Sequence, residues 1–198
     1  MMRNVNKKFN KFIFLLFILF SFEANSKIVS IGSPDSKVTI KVFSSLTCPA
    51  CANFHSKIFD QIKKDYIDKG LVKFEHHPFP LDLAALNAEI ILRCNVDNNK
   101  KFELLGKIYD KQRLWAVGSD IKKINESIKK IGSEVNLKID DMNNCLNNDV
   151  KQDEILNHRI EAQKKYNIES TPTIFLNEKK YNGKVDYKEF KKAIEKNL

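Results

Sequence analysis

The spacing of apolar positions changes several times along the chain, and each change marks an element. Val38-Thr39-Ile40-Lys41-Val42-Phe43 is rich in β-formers and predicts a strand. After a loop over 44–47, apolar residues recur at Cys51, Phe54, Ile58, Ile62 and Tyr66, a helical spacing that stops at Gly70. Leu71-Val72-Lys73-Phe74 returns to a strand pattern, ending before Pro78 and Pro80. Together these predict a β-helix-β unit of the right length for a parallel crossover.

From Asp82 to Tyr166 the pattern is helical throughout. Leu83 to Cys94 predicts one helix with Asp82 as its N-cap. Phe102, Leu105, Ile108 and Tyr109 mark a second helix. Ile121, Ile124, Ile128 and Ile131 mark a third, capped by Ser119 and ended by Gly132. Met142, Cys145 and Leu146 indicate a short fourth, and Asp149 to Tyr166 a fifth. Strand chemistry resumes at Thr173-Ile174-Phe175-Leu176, directly after Pro172. A turn around Asn177-Glu178-Lys179 leads to Lys180-Tyr181, and Asp186 with Glu189 resembles a capping box for a last helix that buries Phe190 and Ile194. The order is βαβ, a helical block of 85 residues, then ββα. It predicts an α/β core whose two strand-bearing parts share one sheet, with the helical block inserted between them.

The first residues carry a different signature. Arg3, Lys7, Lys8 and Lys11 precede the almost wholly apolar run Phe12 to Phe22, and Ala24-Asn25-Ser26 follows with small residues where a signal peptidase reads. Eleven apolar residues rise about 16 Å as a helix, short of a hydrocarbon core of about 30 Å. Residues 1–26 are therefore expected to be a cleaved signal peptide, against the alternative of an uncleaved anchor. The 172 residues that remain suffice for one well-cored domain. Cleavage takes the formal charge from +9 to +6. The basic residues form no block interleaved with aromatics, so the charge reads as a solvated lysine-rich surface, not a nucleic-acid interface.

The candidate chemistry lies in the four cysteines, all after the signal. In an exported chain an even number reads as two possible disulfides. Cys48 and Cys51 are close partners, whereas Cys94 and Cys145 stand alone in the helical block. A Cys-Pro-Ala-Cys sequence behind a strand, at the start of a helix, has a physical logic. Unpaired N–H groups and the helix dipole at that end stabilise an anion, and Pro49 has no N–H to leave unsatisfied. Cys48 is thus the candidate attacking thiolate, and Cys51, one turn inside, the resolving thiol. The competing readings are half a zinc site, for which His76-His77, His55 and His158 make poor completing ligands, and a purely structural disulfide.

Three segments carry a resemblance. Phe43-Ser44-Ser45-Leu46-Thr47-Cys48-Pro49-Ala50-Cys51-Ala52-Asn53-Phe54-His55 resembles the active-site segment of DsbA-like proteins of the thioredoxin superfamily. Pro78-Phe79-Pro80-Leu81-Asp82 resembles the start of that family's helical insertion, and Ser170-Thr171-Pro172-Thr173-Ile174-Phe175 its cis-proline loop. The resemblance implies a thioredoxin fold (βαβ…ββα) with a large all-helical insertion. The parts would be a signal peptide at 1–26, the N-terminal part of the thioredoxin domain at 27–81, the insertion at 82–166 and the C-terminal part at 167–198. It also implies a periplasmic thiol:disulfide oxidoreductase without cofactor or metal, using Cys48 and Cys51 as catalytic residues and Thr171-Pro172, with a cis bond, to bind substrate backbone. Its partners would be exported proteins bearing thiols or disulfides and a membrane quinone-linked partner that recharges it. With only about ten residues between Lys27 and the first strand there is no room for an N-terminal dimerisation region, which favours a monomeric oxidase. The alternatives are a reductase for a narrow client set and a non-catalytic copper- or client-binding module.

Relatives with cysteines at similar places in the insertion support a structural Cys94–Cys145 disulfide, against two buried free thiols or a redox relay. The chain departs from the family pattern twice. Ala50 stands where DsbA has a histidine that stabilises the thiolate, which predicts a weaker acid at Cys48. Val42, beside Lys41, stands where the family commonly has a buried glutamate, with Glu75 on the neighbouring strand as the candidate substitute; loss of that negative charge would favour the Cys48 thiolate, so the two departures pull in opposite directions.

Overall fold

A computed structural model describes residues 28–95 and 97–198; the expected signal peptide, 1–26, lies outside them. Among the described residues no helix is long and apolar enough to cross a membrane. One sheet holds β1 (Val29–Ile31), β2 (Val38–Ser44), β3 (Val72–Pro78), β4 (Thr173–Leu176) and β5 (Lys179–Lys180), in the order β1-β3-β2-β4-β5. β2 runs parallel to β3 and antiparallel to β4, so both strand-bearing parts of the chain meet on it. β1 was not legible in the sequence. It pairs antiparallel with the edge of β3, with Val29 opposite His76. β3 continues through Pro78, which pairs with Ser44, so the proline closes the strand from within.

Alternation along the strands separates the two faces of the sheet. Val38, Ile40, Val42, Phe74 and Ile174 join the main core, whereas Phe43 and Phe175 form a second cluster with Phe79, Ala162 and Ile168. Helix α1 (residues 49–67) covers the first face with α8 (Tyr187–Glu195), bringing Phe54 onto Phe74 and Phe190. α1 alternates α-segments at Pro49–Phe54 and Asp60–Ile62 with π-segments at His55–Phe59 and Lys63–Ile67. Its apolar residues from Phe54 onward recur every four positions, and each such step overshoots an α-turn by about 40°. The wider π-turns take back that overshoot and keep Ile58, Ile62 and Tyr66 buried.

Among the described residues, six helices lie between β3 and β4: α2 (Leu83–Leu92), α3 (Asn98–Asp110), α4 (Gln112–Trp115), α5 (Ile121–Ser133), α6 (Ile139–Leu146) and α7 (Asp149–Tyr166). α2 is apolar apart from Asn87 and Glu89 and is buried along most of its length, and Asp82 caps it by accepting from the Ala85 N–H at 2.7 Å. Two expected helix ends move. Asp120, not Ser119, caps α5, its carboxylate accepting from the Lys122 and Lys123 N–H groups. Gly132 lies inside α5, where an added Cβ would stand 2.5 Å from the sulfur of buried Met142; glycine lets α6 pack close there and does not end the helix. The short α4 was also not foreseen.

Candidate active site

Cys48 is the N-cap residue of α1, with extended φ and ψ of −78° and 118°, and Pro49 takes the first helical turn. Cys48 is half-buried and Cys51 only 2% exposed, and both are free thiols. The Thr171–Pro172 peptide is cis. It places the Thr171 carbonyl 3.3 Å from the Cys48 sulfur, which donates to it. The fold thus brings Cys48, Cys51, Thr171 and Pro172 together, whereas Cys94 and Cys145 are joined to each other by a disulfide in the helical block.

The electrostatics separate the two thiols. Hydrogen bonding from the Cys51 thiol, against the cost of partial burial, holds Cys48 down to about 5 from an ordinary 9.0; the Thr171 side chain and the Cys51 and Ala50 N–H groups add to the effect. Burial, and then proximity to Cys48, pushes Cys51 far up. None of this comes from the side chain at position 50. The donors that lower the Cys48 pKa come from Cys51, Thr171 and the backbone at the helix start. Alkylation of the reduced protein checks this. The Cys48 rate should be flat above about pH 6 and fall tenfold per unit once pH drops through about 5, with Cys51 inert throughout. A midpoint near that of an ordinary thiol would contradict the assignment. The linkage has a matching sign. Because the folded state lowers the Cys48 pKa, its contribution to dithiol stability is complete above about pH 9 and is lost as pH falls through about 5.

The helical block braces the active-site loop through Gln112, which the sequence did not single out, and Asp82, which it read only as a helix cap. The Gln112 side-chain amide donates to the carbonyls of Leu46 at 2.8 Å and Cys48 at 3.0 Å. The Thr47 hydroxyl donates to Asp82 at 2.7 Å, so one carboxylate both caps α2 and holds the loop. A groove of about 610 Å³ opens beside Pro49 and Ala50, walled by Asn53, Lys57, Asp110 and Arg113.

Glu75 does not take the place of a buried acid near Cys51. It faces the far side of the sheet, where it binds His77 at 3.0 Å and Lys73 at 2.8 Å, and His77 in turn meets His158 and Phe43. His76 points the other way, toward the core behind the cysteines, so these adjacent histidines share no site.

A family model described as Thioredoxin matches residues 24–196. Disulfide bond formation protein D of Bacillus subtilis is 35% identical over 175 residues, covering 85% of this chain and 76% of the relative. Five rickettsial relatives whose names contain the words protein-disulfide oxidoreductase are 27–28% identical, and the chain spans 55–60% of their length. Among solved structures, Wolbachia pipientis alpha-DsbA1 superposes with a TM-score of 0.78 at 27% identity, covering 85% of this chain and 89% of that one. Oxidised BdbD from Bacillus subtilis superposes with a TM-score of 0.72 at 29% identity, covering 86% and 92%.

Proposed function

Because this chain belongs to the thioredoxin family, among its DsbA-like protein-disulfide oxidoreductases, we propose that it donates the Cys48–Cys51 disulfide to exported proteins in the periplasm. The observation that carries the direction of transfer is the stabilised thiolate at Cys48. It lowers the free energy of the reduced protein, and a disulfide whose reduced form is stabilised is a strong oxidant. Clients would be exported proteins bearing thiols, consistent with the signal-like sequence at 1–26.

The steps follow from exposure and acidity. A client thiolate attacks the more exposed Cys48 sulfur, and the S–S bond to Cys51 breaks. Cys51 leaves as a thiolate and takes up a proton. A second client thiolate then attacks the client sulfur of the mixed disulfide, forming the client disulfide and releasing Cys48 as a stable thiolate. Thr171 and Pro172 are assigned to hold an extended client segment by its backbone, beside the sulfur that reacts. The Cys94–Cys145 disulfide is assigned a structural role, within an insertion spanning 82–166 between the two parts of the thioredoxin domain at 27–81 and 167–198. A monomer, recharged by a membrane quinone-linked partner, completes the reading.

Redox equilibrium with glutathione tests the direction, with Cys48–Cys51 followed by mass and Cys94–Cys145 scored separately. A donor should give a potential nearer about −120 mV than about −270 mV. A value at the lower end would turn the assignment to a reductase.

A further inference from the structure

The groove beside Pro49 and Ala50 is walled by α1 on one side and by the end of α3 with α4 on the other. On α1 the inward positions Cys51, Phe54, His55 and Ile58 are buried, which leaves Ala50, Asn53 and Lys57 on the outer face. These three stand about one and two turns apart, in a stripe that starts between the two cysteines. Seven helical residues rise about 10 Å, so Lys57 stands about three extended residues away from Ala50. On α4, Gln112 and Trp115 turn inward and are no more than 6% exposed, so Arg113 between them faces out. Gln112 lines the groove and donates to the Cys48 carbonyl at 3.0 Å, which fixes α4, and Arg113 with it, beside the active-site loop.

The charges along this wall are unequal. Lys57 and Arg113 are exposed, and neither makes an ion pair among the described residues. Against these two cations stands Asp110, at the end of α3. A neighbouring groove shares Asp110 and has the opposite character. There Lys63 is held by Asp68 at 2.7 Å and Lys107 by Glu134 at 3.5 Å, while Asp60 has no ion pair among the described residues. The uncommitted charges are thus basic next to the cysteines and acidic beyond Asp110. Two unpaired cations facing one concave wall repel each other and attract an anion placed between them. The small side chains of Pro49, Ala50 and Ala52 keep the groove open on the side of Cys48.

We propose that this groove is a client subsite that selects acidic residues close to the client's reacting cysteine, with Arg113 and Lys57 as the specificity-determining residues. A client segment held at the Thr171 backbone and reacting at Cys48 leaves over the start of α1, past Pro49 and Ala50, into the groove. An Asp or Glu two or three positions from the client cysteine comes to lie between Arg113 and Lys57. A Lys or Arg at the same positions meets them as a like charge. Charges at such a rim act on the encounter and on its salt dependence more than on the bond-breaking step, so the exchange at Cys48 is unchanged in kind. The proposal rests on the thiol-exchange reading and names the clients that the same sulfur serves best, whichever way electrons flow.

Oxidation of short two-cysteine peptides by the oxidised protein tests it. Three peptides carry Glu, Gln or Lys at the second and third positions from each cysteine, and their oxidation is followed by mass at neutral pH and low salt. Each rate is divided by the same peptide's rate with hydroxyethyl disulfide, which removes the effect of its charges on its own thiols. The acidic peptide should react about 5- to 20-fold faster than the basic one, and the ratio should fall below about twofold at about 1 M salt. Lys57→Glu with Arg113→Glu should invert the order, and Asp110→Asn should widen the native ratio. Lys69→Glu with Lys196→Glu makes the same change of net charge at the end of the sheet where β2 and β3 begin, away from Cys48, and should keep at least about half of the ratio. Equal rates for the three peptides, or the same loss of preference in both double variants, would overturn the proposal and leave the exchange reading standing. Should the potential be too low for peptide oxidation, the donor assignment falls, and reduced protein with the disulfide forms of the same peptides gives the same comparison through attack by Cys48. No exchange in either direction would overturn both readings.

Discussion

Replacing Cys48 with serine should abolish disulfide transfer, lowering the rate by at least about a thousandfold, because a hydroxyl is neither ionised near neutral pH nor able to form the S–S bond. Cys51→Ser should behave differently. Its Cys48 thiolate still attacks clients offered as disulfides, displacing one client sulfur as a thiolate, so mixed disulfides accumulate and turnover stops after one event. Cys51→Ala, which leaves no donor where serine would keep one, removes the strongest influence on Cys48, the hydrogen bond from the Cys51 thiol, so its Cys48 alkylation midpoint should move up from about 5. Non-reducing electrophoresis of clients mixed with each variant separates the two outcomes. Transfer by Cys48→Ser, or no adducts from Cys51→Ser, would remove these cysteines from the reaction and return the pair to a structural or metal-binding role.

The second large effect concerns stability. The Cys94–Cys145 bond joins the end of α2 to α6 across 51 residues, with Cα atoms 6.0 Å apart. Chain-entropy arguments give such a loop about 4 kcal/mol, within the 2–5 kcal/mol typical of native disulfides. Cys94→Ala with Cys145→Ala, made where Cys48 and Cys51 are already serine so that the redox state is uniform, should lower the urea midpoint by about 2 M for a slope of about 2 kcal/mol/M. A shift below about 0.5 M would mean that α2 and α6 are held by packing alone. The same double alanine change in the otherwise native protein should leave the Cys48 alkylation rate as it was in the cold, since the bond touches none of the groups that set that thiol's acidity.

What the sequence by itself determined is what short-range physics decides. Runs of β-forming residues at 38–43 and 173–176 mark two strands, and the long helix 149–166 appears with both ends in place, because neighbouring residues set hydrogen bonding and burial there. The chemistry of Cys48, Pro49 and Cys51 was equally local, since a helix start and the residues on it are one stretch of chain. The missed elements depend on distant partners. β1 is three residues long and is a strand only because the edge of β3 offers it a ladder, and α4 is a single turn whose glutamine matters through carbonyls 64 and 66 positions earlier. Cap choice at Asp120 and the passage of α5 through Gly132 turned on side-chain reach and on Met142, which no local pattern records.

Only the tertiary structure decided which groups surround Cys48 and which lie behind Cys51. Ala50 and Val42, read alone, remove two polar groups. Folding supplies others from elsewhere: Thr171 across the cis bond, and His76 in register with Val42, backed by Glu89 from the inserted helices. Electrostatic interactions inside a core act over a few ångströms of space whatever the separation along the chain, so a site's chemistry belongs to the packing while its nucleophile belongs to the motif.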